Sequence, residues 1–503
     1  AAAAVARGHR AFVPPLANPP PPRPPGGGAP APRRAELLRI GRGSSALLEP
    51  AAQDAAAAGE GPGSALLAVQ ATGAFHLTKG IVGTGCLSIP SGVSTLAAAV
   101  GDTAALPITL LFLVGCGAVA ARTYKEVAAS AAETGSASFA EAFSQSGAGP
   151  ASVAAWTAMV NCLGGCIMLA MILGDSAMGV LQQAAAGEAD AAGLDPELQL
   201  PLRFLAIAAS CGLMWPACAK LDLSTMGWSS LLGVSATALT ACVMVARLLD
   251  GSYTDPAGQF VGAPTMEGIS TAAQDPNPLG AAGAVMVLVS LLANSFIAHQ
   301  CAPQLRRAVD ADVADALPEG SRAPEGVFDD VVNAGFALSG LMYTAIAACG
   351  FLTFGPNATD NVLDGYAASD PLAGAARLAT IVCVACSFPQ MLLGLRDSLK
   401  DLTSGHKEME ALTATPVLLA AIALLAGVLT DLSTVIAVQG AVLGALLVFV
   451  LPGMMMAARK GSAPGSAPES GDVTSNGLIA MGTLIGAGGL CASGLQAAAA
   501  GSP

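Results

Sequence analysis

Apolar stretches of roughly 20 residues recur from Leu66 to the end of the chain, each long enough to cross a hydrocarbon core of about 30 Å. Because unpaired backbone groups are too costly in lipid, such stretches must be helices or the strands of a closed barrel. Barrel strands are short and alternate, and the continuous apolar run at 414–429 does not. The sequence therefore predicts an all-α polytopic membrane protein. About eleven transmembrane helices are predicted, at residues 66–99, 104–124, 151–184, 202–219, 224–248, 279–301, 328–355, 373–394, 412–429, 432–457 and 475–498.

The composition excludes several other classes of protein. Hydrophobic residues make up 53% of the 503 residues and charged residues 11%, whereas soluble domains carry about 25% charged residues. The formal net charge of −13 leaves no basic surface for nucleic acid. The twelve cysteines lie inside apolar segments. We expect among them no C-x-x-C pair, no cysteine–histidine cluster and no paired loop cysteines, and therefore no metal site, no cofactor and no disulfide framework. No nucleophile–base pair or phosphate loop can be assembled, so we expect no enzyme.

Residues 1–63 differ from the rest of the chain, because the prolines at 19–22 and the glycines at 26–28 oppose regular structure. We interpret this segment as a disordered cytosolic tail. A targeting segment is the alternative, since the segment is rich in arginine and its first acid is Glu36. The remainder, residues 64–500, is predicted to form one transmembrane domain.

The distribution of charge predicts an orientation. With the N-terminus in the cytosol, most basic residues lie on the cytosolic side, and the loops on the other side carry acids such as Asp190 and Asp275. Bases on that other side are confined to helix ends, at Arg203, Arg247 and Arg377. This asymmetry follows the positive-inside rule and favours a cytosolic N-terminus.

The first span is the most interrupted. Gly83, Gly85 and Pro90 weaken the helix at mid-membrane, and His76 and Lys79 precede them by one to two turns. A helix broken there exposes backbone N–H groups that suit a carboxylate. Close packing of a glycine-rich helix against a neighbour is the alternative, but buried lysine and histidine favour a functional site.

The sixth span is interrupted as well. Asn294 and Ser295 lie near its midplane, and residues 299–303 end the helix. Broken helices at positions one and six of eleven are typical of a five-plus-five inverted repeat that holds its substrate between them. His299 is expected to face water at the inner membrane edge, and a role in coupling is the alternative. Asp175 in the third span is expected to be structural.

The eighth span contains one further candidate. Ser387 precedes Pro389, and the proline frees a backbone carbonyl. That carbonyl and the hydroxyl could coordinate a cation, although a serine bonded to its own helix is the commoner case.

These motifs resemble the amino acid/auxin permease family, whose members are similar in fold to the leucine transporter. The run His76-Leu77-Thr78-Lys79-Gly80 followed by Gly83-Thr84-Gly85 is similar to the proton-coupled branch. Residues 387–389 and 395–399 look more like the sodium-coupled branch, in which an asparagine occupies the place of Lys79 and helps bind sodium. Further stretches that resemble the family are 172–175, 220–222 and 350–355.

The resemblance implies a secondary transporter that moves neutral amino acids together with protons; sodium coupling is an alternative. Backbone N–H groups of the first break would bind the substrate carboxylate, and carbonyls of the second would bind its amino group. His76 would couple the proton, Lys79 would stay as a resident cation, and Ser387 would complete a cation site. The predicted substrate-binding residues are Gly83, Thr84, Gly85, Cys86, Asn294, Ser295 and Phe296.

An amino acid sensor on the same fold, signalling through residues 1–63 to a cytosolic partner, is the second hypothesis. The expected partners are otherwise an amino acid, a proton and the lipid bilayer. Vacuolar and plasma membranes are favoured as the location, with a plastid membrane as the third choice.

Overall fold

The computed structural model describes residues 62–186, 196–219, 226–261, 280–317, 324–367, 369–403, 414–429, 432–461 and 473–500. Within these ranges the backbone is helical between short turns and forms no strand, which confirms the predicted all-α fold. The predicted tail, apart from its last two residues, and the family-like loop at 220–222 lie outside the described residues.

The helices follow the predicted apolar stretches closely. They are α1 Pro62–Ile81, α2 Ile89–Val100, α3 Asp102–Thr134, α4 Phe139–Gln145, α5 Ala151–Ala186, α6 Pro196–Ala219, α7 Met226–Leu249, α8 Gly280–Ser295, α9 Ala302–Ala316, α10 Val327–Phe354, α11 Pro371–Thr403, α12 Thr415–Val428, α13 Leu432–Gln439, α14 Leu451–Gly461 and α15 Val473–Ala500. A π-helix at Gly440–Val450 joins α13 to α14.

Among the described residues, nine helices are long and apolar enough to cross a membrane, or ten if the bent pair α1–α2 is one span. Large apolar side chains on their outer faces are exposed, for example Leu111 on α3 and Leu213 on α6, as expected for a surface that meets lipid. The predicted span at 412–429 contains α12, whose 14 residues extend only about 21 Å at 1.5 Å per residue. The count of eleven and the inverted repeat therefore stay predictions.

Two helical pairs are broken where the sequence places the interruptions. After α1, Val82 and Gly83 are extended, a short 3-10 turn follows at Thr84–Ser88, and the halves Gly63–Ile81 and Gly85–Val100 meet at 56°. After α8, residues 296–298 leave the helix, and a 3-10 turn at His299–Cys301 leads into α9. Both second halves begin with a proline in their first turn, where its missing N–H costs nothing.

The two breaks lie side by side. A Cβ atom built on Gly85 would be 3.8 Å from the side-chain amide nitrogen of Asn294, so the glycine of one break faces the asparagine of the other. The π-helix braces the second break from behind, because Cβ atoms on Gly440 and Gly444 would be 2.2 Å from the Ser290 carbonyl oxygen and 3.0 Å from the Ala293 Cβ atom. Only glycine permits this close approach.

Two expectations about single residues can be settled in the fold. Asp175 accepts a 2.6 Å hydrogen bond from Arg203 Nε, which ties α5 to α6 and agrees with a structural role. His299 was expected to face water, and this is wrong. Its side chain is fully buried, and its Nε2 atom lies 2.9 Å from Thr123 Oγ1, because the 3-10 turn after the second break folds the imidazole against α3.

Candidate functional site

A cavity of about 340 Å3 lies where the two breaks meet, and its volume falls within the range of small-molecule sites, roughly 300–1,000 Å3. It starts at the breaks and continues along α1 and α9, past Gln304 and Ala308, to Asp397 near the end of α11. The cavity therefore extends from the breaks along α1, which precedes the first break, and along α9, which follows the second.

The cavity collects most of the residues predicted from the sequence. Its walls include Gly83, Gly85 and Cys86 from the first break, together with Asn294 and Ser295 from the second. The three predicted coupling residues also line it, namely His76, Lys79 and Ser387. Described residues of eight helices, α1, α3, α5, α8, α9, α10, α11 and α13, thus meet around one space.

Two of the predicted substrate-binding residues, Thr84 and Phe296, are not among the described residues that line the cavity. The Phe296 side chain is 1% exposed. It stacks on Phe336 and meets Tyr343 edge-on, with ring centroids 6.1 and 5.2 Å apart, so it belongs to the hydrophobic core and not to the cavity wall. Thr84 begins the 3-10 turn of the first break, and its side chain lies outside the described part of the chain.

Two backbone N–H groups of the first break donate hydrogen bonds to carbonyls of nearby residues in the same segment. Gly83 N–H donates to the Ile81 carbonyl at 2.9 Å, and Cys86 N–H donates to the Gly83 carbonyl at 3.5 Å, which is long for such a bond. A Cβ atom on Gly83 would meet no atom within 4 Å, so the space beside this residue is open. The predicted role of these N–H groups in binding a carboxylate stays a prediction.

Tyr343 joins the two breaks. Its hydroxyl oxygen lies 2.8 Å from the carbonyl oxygen of Ile81, the last residue of α1, and 2.7 Å from that of Ser295, the last residue of α8. A phenol has one proton to donate, so the two carbonyls share it. The Tyr343 side chain on α10 is fully buried. Its hydroxyl therefore connects α10 to the ends of both α1 and α8.

Lys79 lies between α1, α7 and α11 and is 2% exposed. Its ammonium donates to the Cys383 carbonyl at 3.1 Å and to the Ser387 hydroxyl, so the predicted pair Lys79 and Ser387 is in contact. Gly233 makes room for it, since a Cβ atom there would lie 2.6 Å from the Lys79 Nζ atom. The ammonium is thus held by neutral oxygen atoms, a donor set that also suits a monovalent metal cation.

The expectation of no C-x-x-C pair is wrong at one place, beside the lysine. Cys383 and Cys386 have C-x-x-C spacing within α11. Cys383 takes part in the lysine site through its carbonyl and its sulfur atom, which lies 3.5 Å from the ammonium.

His76 stands one turn before Lys79 on α1 and is half-buried in the cavity wall. Its Nδ1 atom lies 3.0 Å from the Ser230 hydroxyl of α7, and the donor of this hydrogen bond depends on the imidazole tautomer. Gln390 of α11 donates to the same hydroxyl at 3.5 Å. The imidazole is therefore positioned by neutral groups and reaches the cavity.

Carboxamide side chains make up much of the remaining polar wall. On α5 and α13, Gln439 Nε2 lies 3.2 Å from Asn161 Oδ1 and donates to it. Asp397 is the one acid among the described residues that line the cavity, and it pairs with Lys400 at 3.4 Å. The carboxamides of the described lining residues are Asn161, Asn294, Gln300, Gln304, Gln390 and Gln439.

A second polar cluster lies at the other end of α11, which we call the latch and define as Arg247, Tyr253 and Asp370. The Asp370 carboxylate accepts hydrogen bonds from Arg247 Nε at 2.8 Å and from the Tyr253 hydroxyl at 2.9 Å, and it also caps α11 through the Leu372 N–H at 2.9 Å. Its side chain is completely buried. The latch fastens the end of α7 to the start of α11 and does not line the cavity.

Sequence reasoning missed Tyr343, Asn161, Gln439 and the pairing within the latch. One signal was present for the first three, because each is a polar side chain inside an apolar stretch, and such residues are functional candidates by default. No local signal connected Arg247 with Asp370, since their partnership joins positions 123 residues apart.

A comparison with protein families identifies the chain. The model of the family described as transmembrane amino acid transporter protein matches residues 70–275 and 321–485, which together make up most of the chain. A search of curated proteins finds no match. The matched ranges contain the first break, the lysine site and the latch. The chain belongs to the transmembrane amino acid transporter family and is a multi-pass integral membrane protein that transports amino acids.

Proposed function

We propose that this protein is a secondary transporter that moves neutral amino acids together with protons and binds its substrate between the two helix breaks. One observation carries the proposal: both breaks, His76 and Lys79 line a single cavity of about 340 Å3. Rocking of one helix bundle against the other would then expose this site to alternate sides of the membrane.

The charges around the cavity support a neutral substrate. Lys79 is engaged by Cys383 and Ser387, and Asp397 is paired with Lys400. A charged substrate side chain would have to compete for one of these partners, whereas an uncharged one would not. The zwitterionic backbone of the substrate would use main-chain groups, with the carboxylate at residues 83–86 and the ammonium at the carbonyls of residues 294–296.

The position of Lys79 supports coupling without sodium. The Cys383 carbonyl and the Ser387 hydroxyl are oxygen ligands of the kind that hold a monovalent cation, and the lysine ammonium already bonds to both. Lys79 therefore acts as a resident cation between α1 and α11. A sodium ion would have to displace the ammonium from the same oxygen atoms.

His76 is proposed as the proton-coupling residue. An imidazole changes charge near physiological pH, and this one lines the cavity. Among the contacts described, the His76 imidazole meets the neutral Ser230 hydroxyl, which also accepts from Gln390, and no charged group. A proton taken up from the cavity would travel with the substrate through the same conformational change.

The predicted orientation completes the proposal. With a cytosolic N-terminus, the cavity opens toward the cytosol, because it extends along α9, which carries Arg306 and Arg307 on the basic side of the membrane. We propose the vacuolar or plasma membrane as the location.

The test is uptake of labelled alanine, proline and glutamine into proteoliposomes under separately imposed proton and sodium gradients. We expect uptake driven by the proton gradient alone and its loss in His76→Ala. Ser230→Ala is the matched control, because it removes the hydrogen-bond partner and leaves the imidazole in place; it should keep proton-driven uptake.

A requirement for sodium would contradict the proposed coupling and direct attention to Ser387. Amino acid binding without uptake under either gradient would contradict transport and favour the sensor hypothesis. In that case deletion of residues 1–63 should abolish binding of the cytosolic partner.

A further inference from the structure

The cavity wall beside the second break carries a buried carboxamide pair, Asn161 and Gln439. Gln439 is the last residue of α13, immediately before the π-helix that braces the second break. Its neighbour Gly440 approaches Asn294 so closely that a Cβ atom on Gly440 would be 3.0 Å from the Asn294 Cβ atom. Asn161 stands beside it on α5. The pair therefore lies next to the place where the two breaks meet.

The hydrogen bonds of this pair are incomplete. Gln439 Nε2 donates to the side-chain oxygen Oδ1 of Asn161 at 3.2 Å and to the backbone carbonyl oxygen of Asn161 at 3.4 Å. Both partners are acceptors, so the network assigns the amide nitrogen to this side and leaves Oε1 on the other. Among the described residues, Gln439 Oε1 has no hydrogen-bond donor, although the side chain is only 7% exposed.

Glycine at position 164 creates the space that this oxygen occupies. A Cβ atom there would be 2.3 Å from Gln439 Oε1, so any larger residue would displace the carboxamide. Gln300, just after the second break, also has a buried Oε1 atom without a donor in the described part of the chain. Two residues that line the cavity thus each hold a buried acceptor without a donor in the described part of the chain, and buried polar groups in native proteins are nearly always paired.

We propose that the Asn161–Gln439 pair is the subsite that selects the substrate side chain, and that it favours side chains which donate hydrogen bonds, above all the carboxamides of asparagine and glutamine. This inference rests on the proposed binding of the amino acid backbone between the breaks. A carboxamide NH2 satisfies the unpaired Gln439 oxygen once this side chain turns from Gly164 toward the cavity, and the oxygen of the substrate carboxamide accepts from the other carboxamides of the wall.

The same chemistry rejects other side chains. An aliphatic side chain of equal size leaves the buried acceptor unpaired. A carboxylate brings no donor, and the described contacts of the pair offer no cation to balance it. Discrimination between asparagine and leucine, which are nearly equal in shape, therefore isolates the hydrogen bond from the size of the pocket.

The experiment measures inhibition of labelled alanine uptake in proteoliposomes by unlabelled asparagine and leucine, and reports the ratio of the two inhibition constants. We expect the wild type to favour asparagine by about tenfold or more, the worth of one buried neutral hydrogen bond. In Gln439→Met, which keeps length and removes both polar atoms, the ratio should approach one. Because it is a ratio, any change in overall uptake cancels.

Gln145→Met is the matched control, since Gln145 is an exposed glutamine on α4 and bonds only to Glu141 among the contacts described; its ratio should equal that of the wild type. If Gln439→Met fails to fold, Asn161→Leu provides the second variant and should lower the ratio in the same direction. A wild-type ratio near one, or an unchanged ratio in a folded Gln439 variant, overturns the proposal and makes the pair a structural pin between α5 and α13.

Failure of the proposed transport would be recognised separately. If the wild type takes up no alanine under any gradient, the same ratio is measured from the thermal stabilisation of the purified protein by each amino acid. Preferential stabilisation by asparagine, lost in Gln439→Met, would support the subsite although transport had failed. Equal stabilisation by both would overturn it.

Discussion

The latch and the cavity use polar groups inside the same bundle in opposite ways. In the latch, a fully buried carboxylate meets an arginine and a tyrosine hydroxyl, and full charges face each other. In the cavity, the Lys79 ammonium is held by neutral oxygens, and the Gln439 oxygen has no donor among the described residues. The latch lies at the start of α11, and the oxygen atoms that hold Lys79 lie at residues 383 and 387 of the same helix, roughly 20–25 Å further along at 1.5 Å per residue.

The difference follows from what each region has to hold. A partner that is part of the chain is always present. The cost of removing both charges from water is therefore offset by their attraction whenever the protein is folded. A partner that arrives and leaves must find groups that tolerate its absence, and neutral carboxamides and main-chain groups cost less to leave unpaired than a buried charge does. The comparison therefore separates groups that stabilise the fold from groups that bind a ligand.

The largest expected effect is on the latch. Asp370→Asn keeps the shape of the side chain and removes the anion that faces Arg247, which breaks a buried pair and costs about 3 kcal/mol; Arg247 keeps its 2.8 Å bond to Asp250. The free energy of unfolding should fall by this amount in thermal or denaturant unfolding of the purified protein. Asp310→Asn is the control, because the Arg306–Asp310 pair is partly exposed and should contribute less than about 1 kcal/mol.

The latch also predicts a pH dependence. Burial by itself raises the pKa of Asp370, but hydrogen bonds from Arg247 and Tyr253 outweigh it and hold the pKa below its ordinary value. A lowered folded-state pKa contributes stability that is present above the unfolded pKa and is lost as pH falls through the folded pKa. The difference in the free energy of unfolding between wild type and Asp370→Asn should therefore be constant from about pH 8 to about pH 5. A latch contribution that fades over the same range would contradict the comparison.

An intermediate effect is expected behind the second break. Gly440→Ala places a Cβ atom 2.2 Å from the Ser290 carbonyl oxygen, so the π-helix or α8 must move. We expect a loss of about 1–3 kcal/mol in the free energy of unfolding, and a loss of uptake that exceeds the loss of folded protein. Gly477→Ala on α15 meets no atom within 4 Å, and since alanine favours a helix over glycine it should lower neither quantity. Equal behaviour of the two variants would show that the break needs no bracing.

The smallest effect on stability is expected at Tyr343. Tyr343→Phe removes one hydroxyl that bonds to Ile81 and Ser295 and should cost about 1 kcal/mol. Because the hydroxyl joins both breaks, the KM for alanine uptake should rise more than this cost to stability would suggest. Ser339→Ala, on the same helix, removes a hydroxyl bonded to the Gly335 carbonyl of its own helix and should leave KM unchanged. A Tyr343→Phe variant with normal KM would make the tyrosine a purely structural group.

Much of the fold was predictable because its signals are local. Apolar length, the glycines at 83 and 85 and the prolines at 90 and 303 act within a few residues of where they stand, so helix positions and both breaks could be placed from the sequence. The same patterns could not show that α12 has only 14 helical residues. Hydropathy continues beyond the residues at which the backbone leaves the helix.

For the candidate site, the sequence by itself determined which residues are unusual: His76 and Lys79 in an apolar span, Asn294 and Ser295 at a second interruption, and Ser387 before a proline. Only the tertiary structure decided which of them meet. Lys79 and Ser387 are 308 residues apart, and Gln439 and Asn161 are 278 apart. Such contacts depend on how helices pack, since close packing and not local pattern brings distant side chains to one place. That is why His299 was expected to face water and is instead buried, and why the latch had no signal in the sequence.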